Sequence, residues 1–171
     1  TTEIYTLSLH DALPILAEKD GIAVTILGDD LEGEARELAA QQAAMALKLR
    51  AKITQPTLLL SGGECTVTRR GKGVGGPNAE YALALAIALD GASGIHALAC
   101  DTDGVDGAAE VAGASGTPDT RVKAKSVGID PDRALANKDA HSFFAAIDSQ
   151  VVTGPTLTNV NDFRAILIKP I

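Results

Sequence analysis

Nine consecutive residues, Tyr81–Leu89 ("YALALAIAL"), carry no polar group except the tyrosine hydroxyl. A segment that is apolar on every side must be covered on every side, so the chain needs further layers around it. The large residues Tyr81, Leu83, Leu85, Ile87 and Leu89 alternate strictly, which is strand periodicity. Every intervening residue, however, is alanine, the strongest helix former, and Pro77 stands where a first helical turn tolerates proline. The pattern predicts a buried helix opened by Pro77. With aromatics at 3% and no tryptophan, Ala, Leu, Val and Ile must fill the surrounding core.

The rest of the chain alternates between strand and helix signals. Ala23–Leu27 predicts a strand closing on a Gly-Asp-Asp turn. A helix follows, with Asp30 as its N-cap and Leu31, Ala35, Leu38, Met45, Ala46 and Leu49 on its buried face. Thr57–Leu60 is continuously apolar, as in a strand buried on both faces, and Gly62 and Gly63 break it. Cys65, Val67 and Arg69 alternate with Thr66, Thr68 and Arg70, a half-exposed strand pattern. Ile95–Cys100 and Ala165–Ile168 predict two further strands, and a short strand is expected near "SQVV". Two short helices each open on Pro-Asp, with Phe143 and Phe144 anchoring the second and His141 expected on its surface. His96, inside an apolar run, is expected in the core or at a sheet edge. This order predicts an α/β fold, a layered sheet of mixed strands with helices packed on it.

Charge and composition narrow the function classes. A net charge of −7 argues against a face that binds nucleic acid or an anionic membrane. No apolar run approaches the roughly 18 residues a spanning helix needs. Cys65 and Cys100 form no CxxC pair, and the expectation is reduced thiols in a cytoplasmic protein. Thr1–Ile15 ("TTEIYTLSLHDALPI") resembles a translated short-read sequencing adapter. It is expected to be foreign to the native protein, which would then extend upstream of Leu16.

Three polar, glycine-rich loops follow buried strands: "SGGE", "CDTDGVDG" and "TGPTLTNVND". In open α/β sheets ligands gather beyond the carboxyl ends of strands, so these loops are expected to converge. "GKGVGG" places Gly71, Gly73 and Gly76 in G-x-G-x-x-G spacing between a strand and a helix. Such a loop either points backbone N–H groups at a phosphate, with Lys72 adding charge, or is a tight turn that admits a buried helix. Gly62, Gly63, Gly71, Lys72, Gly73, Gly75, Gly76 and Asn78 are the phosphate- or nucleotide-binding candidates. The P-loop spacing does not occur. Asp101, Asp103 and Asp106 lie in one acidic turn; Asp103 and Asp106 are candidates for holding Mg2+, with an Asx-type turn the alternative. Glu64 stands at a strand end, and Asn159, Asn161 and Asp162 lie where loop backbone needs partners.

Taken in order and at these intervals, "LLLSGGECTVTRRGKGVGGPNAEYALALAIAL", "ALACDTDGVDG" and "VVTGPTLTNVND" resemble the MOFRL domain. That domain is the C-terminal part of the two-domain glycerate 2-kinases, many of whose bacterial members are labelled hydroxypyruvate reductase. The resemblance covers residues 57–171. It implies that residues 16–56 are the end of an N-terminal domain plus a linker, and that the bulk of that domain is a missing partner. It also implies transfer of the ATP γ-phosphoryl group to the 2-hydroxyl of D-glycerate, with Mg2+, in a cleft between domains. Carried over by position, Glu64, Asp103 and Asn159 would be catalytic, and the fragment alone would be inactive. Many members have arginine after the last glycine pair, where this chain has Pro77. Two other readings stay open: an NAD(P)H-dependent hydroxypyruvate reductase and a non-catalytic α/β binding domain.

Overall fold

The helix α3 (Pro77–Leu89), whose Tyr81–Leu89 part is the apolar run, lies at the centre of the chain, with Pro77 in its first turn. Tyr81, Leu83 and Leu85 are fully buried, so the alanine-spaced run is helical as its propensity dictates. The computed structural model describes residues 9–67, 73–107 and 109–171.

Before α3 come α1 (Leu9–Lys19), β1 (Ala23–Gly28), β2 (Gly33–Glu34), α2 (Ala35–Arg50), β3 (Thr57–Gly63) and β4 (Cys65–Thr66). After it come β5 (Ile95–Asp101), β6 (Gly113–Gly116), α4 (Thr120–Ser126), α5 (Pro131–Ala136), α6 (Ala140–Ala146), β7 (Gln150–Val151) and β8 (Asp162–Ile168). Six strands form one mixed sheet in the order β1-β3-β8-β5-β6-β7, and β2 pairs with β4 alone. The fold is the α/β layered sheet that the sequence predicts. α1 runs from the adapter-like segment into Lys19 without a break.

The topology decides where the loops go. β1 and β3 are parallel neighbours joined through α2, while β8 is antiparallel to both β3 and β5 and lies between them. β3 and β5 therefore point the same way, and their carboxyl ends meet the start of β8. Gly63, Asp162 and Asp101 form one row across these three strands. β6 runs back from β5 and β7 returns beside it, so the loop after β7 opens at this same end.

Several local expectations are corrected. The helix begins at Ala35, not at Asp30, because Gly33–Glu34 is drawn into pairing with Cys65–Thr66. Its buried stripe is Ala35, Ala39, Gln42, Ala43 and Ala46, whereas Met45 is 40% exposed. Small residues on this stripe let α2 approach α3 closely, and that contact outranks burial of the larger side chains. The segment "PDRALANKDAHSFFAAI" is two helices, α5 and α6, broken where Lys138 takes a positive φ. β6, glycine-bearing and short, has no strand signature in the sequence. Arg69, Arg70 and Thr68, expected on a strand, lie outside the described residues.

β6 also shows why its glycines differ. A Cβ on Gly113 would stand 2.0 Å from the Ala99 carbonyl oxygen, whereas one on Gly116 meets only the Ala86 methyl at 3.8 Å. Gly113→Ala is therefore expected to cost at least about 2 kcal/mol in urea denaturation, and Gly116→Ala to stay within about 0.5 kcal/mol of the parent.

Candidate functional site

The row Gly63–Asp162–Asp101 is the floor of the candidate site, and a buried ion pair organises it. Asp162 and Arg164 alternate on one face of β8, so both point inward beneath the strand ends. Arg164, 1% exposed, donates from Nη1 to Asp162 Oδ2 at 3.0 Å and to Cys65 Sγ at 3.1 Å. Its Nη2 donates to the Gly62 carbonyl at 2.6 Å, and the guanidinium lies 5.7 Å from the Tyr81 ring centroid. Asp162 also accepts from the Cys65 N–H at 3.0 Å and from Asn78 Nδ2 at 2.6 Å. Tyr81 OH donates to Gln42 Oε1, and Gln42 Nε2 to Ser61 Oγ, which ties α2, α3 and β3 together.

Burial shifts the acid–base character of this layer. It raises the Tyr81 phenol well above its ordinary value, despite the opposing Arg164 charge. Burial likewise raises the Cys65 thiol, with Arg164 opposing, and pushes Cys100 up to about 11. Both thiols are free.

The start of α3 is capped by the protein itself. Asp106, fully buried, accepts from the Asn78 N–H at 3.0 Å and from the Ala79 N–H at 2.8 Å, one carboxylate oxygen for each. His141 Nε2 stands 3.2 Å from Asp106 Oδ2 and 3.2 Å from its carbonyl oxygen. His141 is thus buried and not on the surface as its helix position suggested. The Asp106 carboxylate, a candidate metal ligand in the sequence, is occupied on both oxygens by α3 amides. Asn78, a candidate nucleotide contact, bridges Asp106 and Asp162.

The glycines of the opening loop are explained by neighbouring protein. A Cβ on Gly76 would fall 2.4 Å from Asp106 Cγ, and one on Gly73 would fall 2.8 Å from the Asn137 carbonyl oxygen. Gly75 approaches the Lys138 carbonyl, and Val74 N–H donates to Asp139 Oδ1 at 3.1 Å. This part of G-x-G-x-x-G is a close-packed turn into a buried helix. Gly71 and Lys72 lie outside the described residues. Behind the turn, the buried Glu80 carboxylate takes Arg36 Nε and Lys138 Nζ, each at 2.6 Å.

The loops after β5 and before β8 are laced to each other. Thr102 Oγ1 donates to the Asn161 carbonyl at 2.9 Å and accepts from the Val160 N–H at 2.9 Å. Thr156 N–H donates to the Asp103 carbonyl at 3.1 Å, and Thr156 Oγ1 to the Thr102 carbonyl. Gly104 passes so near the Gly154 carbonyl that a Cβ would stand 2.2 Å from it. Within this pair of loops, Asp103 Oδ1 accepts from Val105 N–H at 2.8 Å in an Asx-type turn, and its own N–H donates to Asp101 Oδ1 at 3.0 Å. Asn159 Oδ1 accepts from Asn161 N–H at 3.1 Å. Desolvation, with Asp103 and Asp162 nearby, raises the Asp101 carboxyl above its ordinary value.

Of the predicted site residues, Gly62 and Gly63 end β3 and Glu64 follows it, Asp103 follows β5, and Asn159 precedes β8, all at one end of the sheet. Gly73 and Gly75 lean instead toward Asn137–Asp139. Sequence reasoning missed Arg164 and the inward role of Asp162. The available signal was a cation inside the alternating strand "DFRAILI", two residues from an acid and on the same face. Among the described residues, no three His, Cys, Asp or Glu side chains gather as a metal cage, and no helix is long and apolar enough to cross a membrane.

The cap makes a direct prediction. Asp106→Ala would leave the Asn78 and Ala79 amides without their buried acceptor and remove the carboxylate facing His141, so a loss of about 3 kcal/mol or more is expected in chemical denaturation.

Comparison with known proteins agrees with this architecture. The chain is 52% identical over 153 residues to a protein of Agrobacterium vitis named "Putative hydroxypyruvate reductase", covering 86% of this chain and 35% of that protein. It is 36% identical over 161 residues to the D-glycerate 2-kinase of Thermotoga maritima, covering 92% of this chain and 39% of that one. The crystal structure of a Thermotoga maritima glycerate kinase superposes with a TM-score of 0.88 at 35% identity, over 92% of this chain and 39% of that one. The chain thus spans less than half the length of these relatives. Residues 57–162 match the MOFRL family model, and the chain belongs to the MOFRL family.

Proposed function

We propose that this chain is the MOFRL part of a D-glycerate 2-kinase, which transfers the γ-phosphoryl group of ATP to the 2-hydroxyl of D-glycerate. In this reading residues 57–171 are the C-terminal domain, residues 16–56 the end of a preceding domain plus linker, and the compartment is the cytoplasm. The observation that carries it is the meeting of Glu64, the Asp101–Asp103 turn and the Asn159–Asn161 loop at one sheet end. The likeness to a D-glycerate 2-kinase gives that convergence its chemistry.

Phosphoryl transfer asks a protein mainly for positioning and for charge compensation. Asp101 and Asp103 bring their carboxylates into one turn, where desolvation is the main cause that raises the Asp101 carboxyl and the neighbouring acids add to it. This pair of carboxylates fits a hard divalent cation. Asp103 with Asp101 would hold Mg2+, while Asp106, with both oxygens engaged by α3, would act through the fold. Bound there, Mg2+ supplies compensation for charge on the phosphate oxygens. Asn159, with its Oδ1 turned to the Asn161 N–H, offers its Nδ2 to a substrate oxygen. Glu64 is exposed beside Gly63 and would accept from a substrate hydroxyl. Lys72 would supply positive charge to the phosphates, while Gly73, Gly75 and Gly76 pack against the protein itself.

The name carried by the Agrobacterium vitis relative supports a second reading, reduction of hydroxypyruvate with NAD(P)H. The two separate in one experiment on a polypeptide completed to the relatives' length. Glycerate-dependent ADP release without hydroxypyruvate-dependent NADH or NADPH oxidation is expected, and the reverse outcome would overturn the kinase assignment. The 171-residue chain alone is expected to release no ADP above background. In the completed enzyme, Asp103→Ala should lower kcat by roughly 100-fold or more while leaving the melting temperature close to the parent's.

A further inference from the structure

We propose that Arg164 is the positioning residue of this site: through Asp162 it fixes the Gly63–Glu64–Cys65 turn, and with it the direction in which Glu64 leaves the sheet. The inference deepens the kinase reading and rests on it for the role of Glu64. Its structural half stands on geometry alone.

Glu64 is exposed, yet the residues on both sides of it are tied to one ion pair. On one side, Arg164 Nη2 binds the carbonyls of Gly62 at 2.6 Å and Gly63 at 3.4 Å. On the other, Arg164 Nη1 binds Cys65 Sγ at 3.1 Å, and Asp162 Oδ2 accepts the Cys65 N–H at 3.0 Å. The two halves are joined by the Arg164–Asp162 bond of 3.0 Å. A planar guanidinium can serve a carboxylate, a sulfur and a carbonyl from one fixed plane, which a lysine ammonium cannot do. Tyr81 lies across that plane and holds it.

Stability is a weak reason for keeping such a pair. Desolvation of two buried charges offsets most of their attraction, and an apolar pair of similar volume often packs as well. Direction is what the apolar pair would lack. Gly63 takes a φ of +101° and a Cβ there would stand 2.3 Å from the Leu31 backbone nitrogen, so the turn can follow this path only with a glycine there. With the path set and both flanks bound, the Glu64 side chain starts from a fixed point. Asp162 is also the row partner of Asp101, whose carboxylate holds the Asp103 N–H. One ion pair thus sets Glu64 and the Asp101–Asp103 turn in a common frame.

The test is amide hydrogen exchange by NMR on the 171-residue chain. Arg164→Lys keeps the charge, and the double replacement Asp162→Asn with Arg164→Met removes both charges together, so that no lone buried ion prevents folding. In both variants the Cys65 amide, which donates to Asp162 Oδ2, is expected to exchange at least about 10-fold faster, with Leu83 and Leu85 in α3 within about 2-fold of the parent. Unchanged exchange at Cys65 would overturn the proposal. An equal loss of protection in α3 would also overturn it, since that marks a global structural role. The kinase reading is tested apart from this. If Glu64→Gln in the completed enzyme left turnover unchanged, the catalytic reading of Glu64 would fall, while the dependence of the turn on Arg164 would stand.

Discussion

A guanidinium and a carboxylate with almost no contact with water, Arg164 and Asp162, set the conditions for the end of the sheet where the polar loops gather. Burying them in a core built mainly of alanine, leucine and isoleucine demands that nearly every polar atom find a partner. The partners come from β3, β4 and α3, so satisfying one ion pair brings four elements to a common point. An electrostatic requirement inside the protein thereby becomes a geometric constraint on its surface.

The second constraint is the beginning of α3. A helix whose body is apolar all round presents unpaired amides at its start, and in a buried location these need an internal acceptor. Asp106 supplies it, and Gly76 lets the carboxylate come close enough to do so. A glycine-rich loop before a helix is often read as an anion cradle, yet here the anion at the α3 amides belongs to the chain. The loop is close-packed at Gly73 and Gly76 for the same reason: backbone and side chains from the α5–α6 connection and the β5 loop occupy the space where side chains would be.

Much of the fold was legible because it depends on local pattern. The alternation of β3 and β5 with α3, the Pro77 helix start and the Ala165–Ile168 part of β8 follow from periodicity and propensity. The start of α2 was not legible, since the pairing of β2 with β4 removes Leu31 from the helix that local capping signals favour. β6 was invisible for a related reason: glycine and serine carry no strand preference, and its pairing with β5 comes from tertiary contact. Glu64, Asp103 and Asn159, the candidates at this sheet end, stood out by motif. Arg164 and His141 did not, because their roles come from partners 99 and 35 positions away.

By itself the sequence determined that this chain forms an α/β layered sheet around a helix with an all-apolar run, with polar loops at strand ends, because burial and periodicity are properties of neighbouring residues. Only the tertiary structure decided which acids are buried in the frame and which stay near solvent. Asp101, Asp103 and Asp106 are alike in sequence, but the fold directs Asp106 into the amides of α3 and leaves Asp103 at the rim. Solvent exposure and hydrogen-bond partners separate them, and both are set by residues far away along the chain.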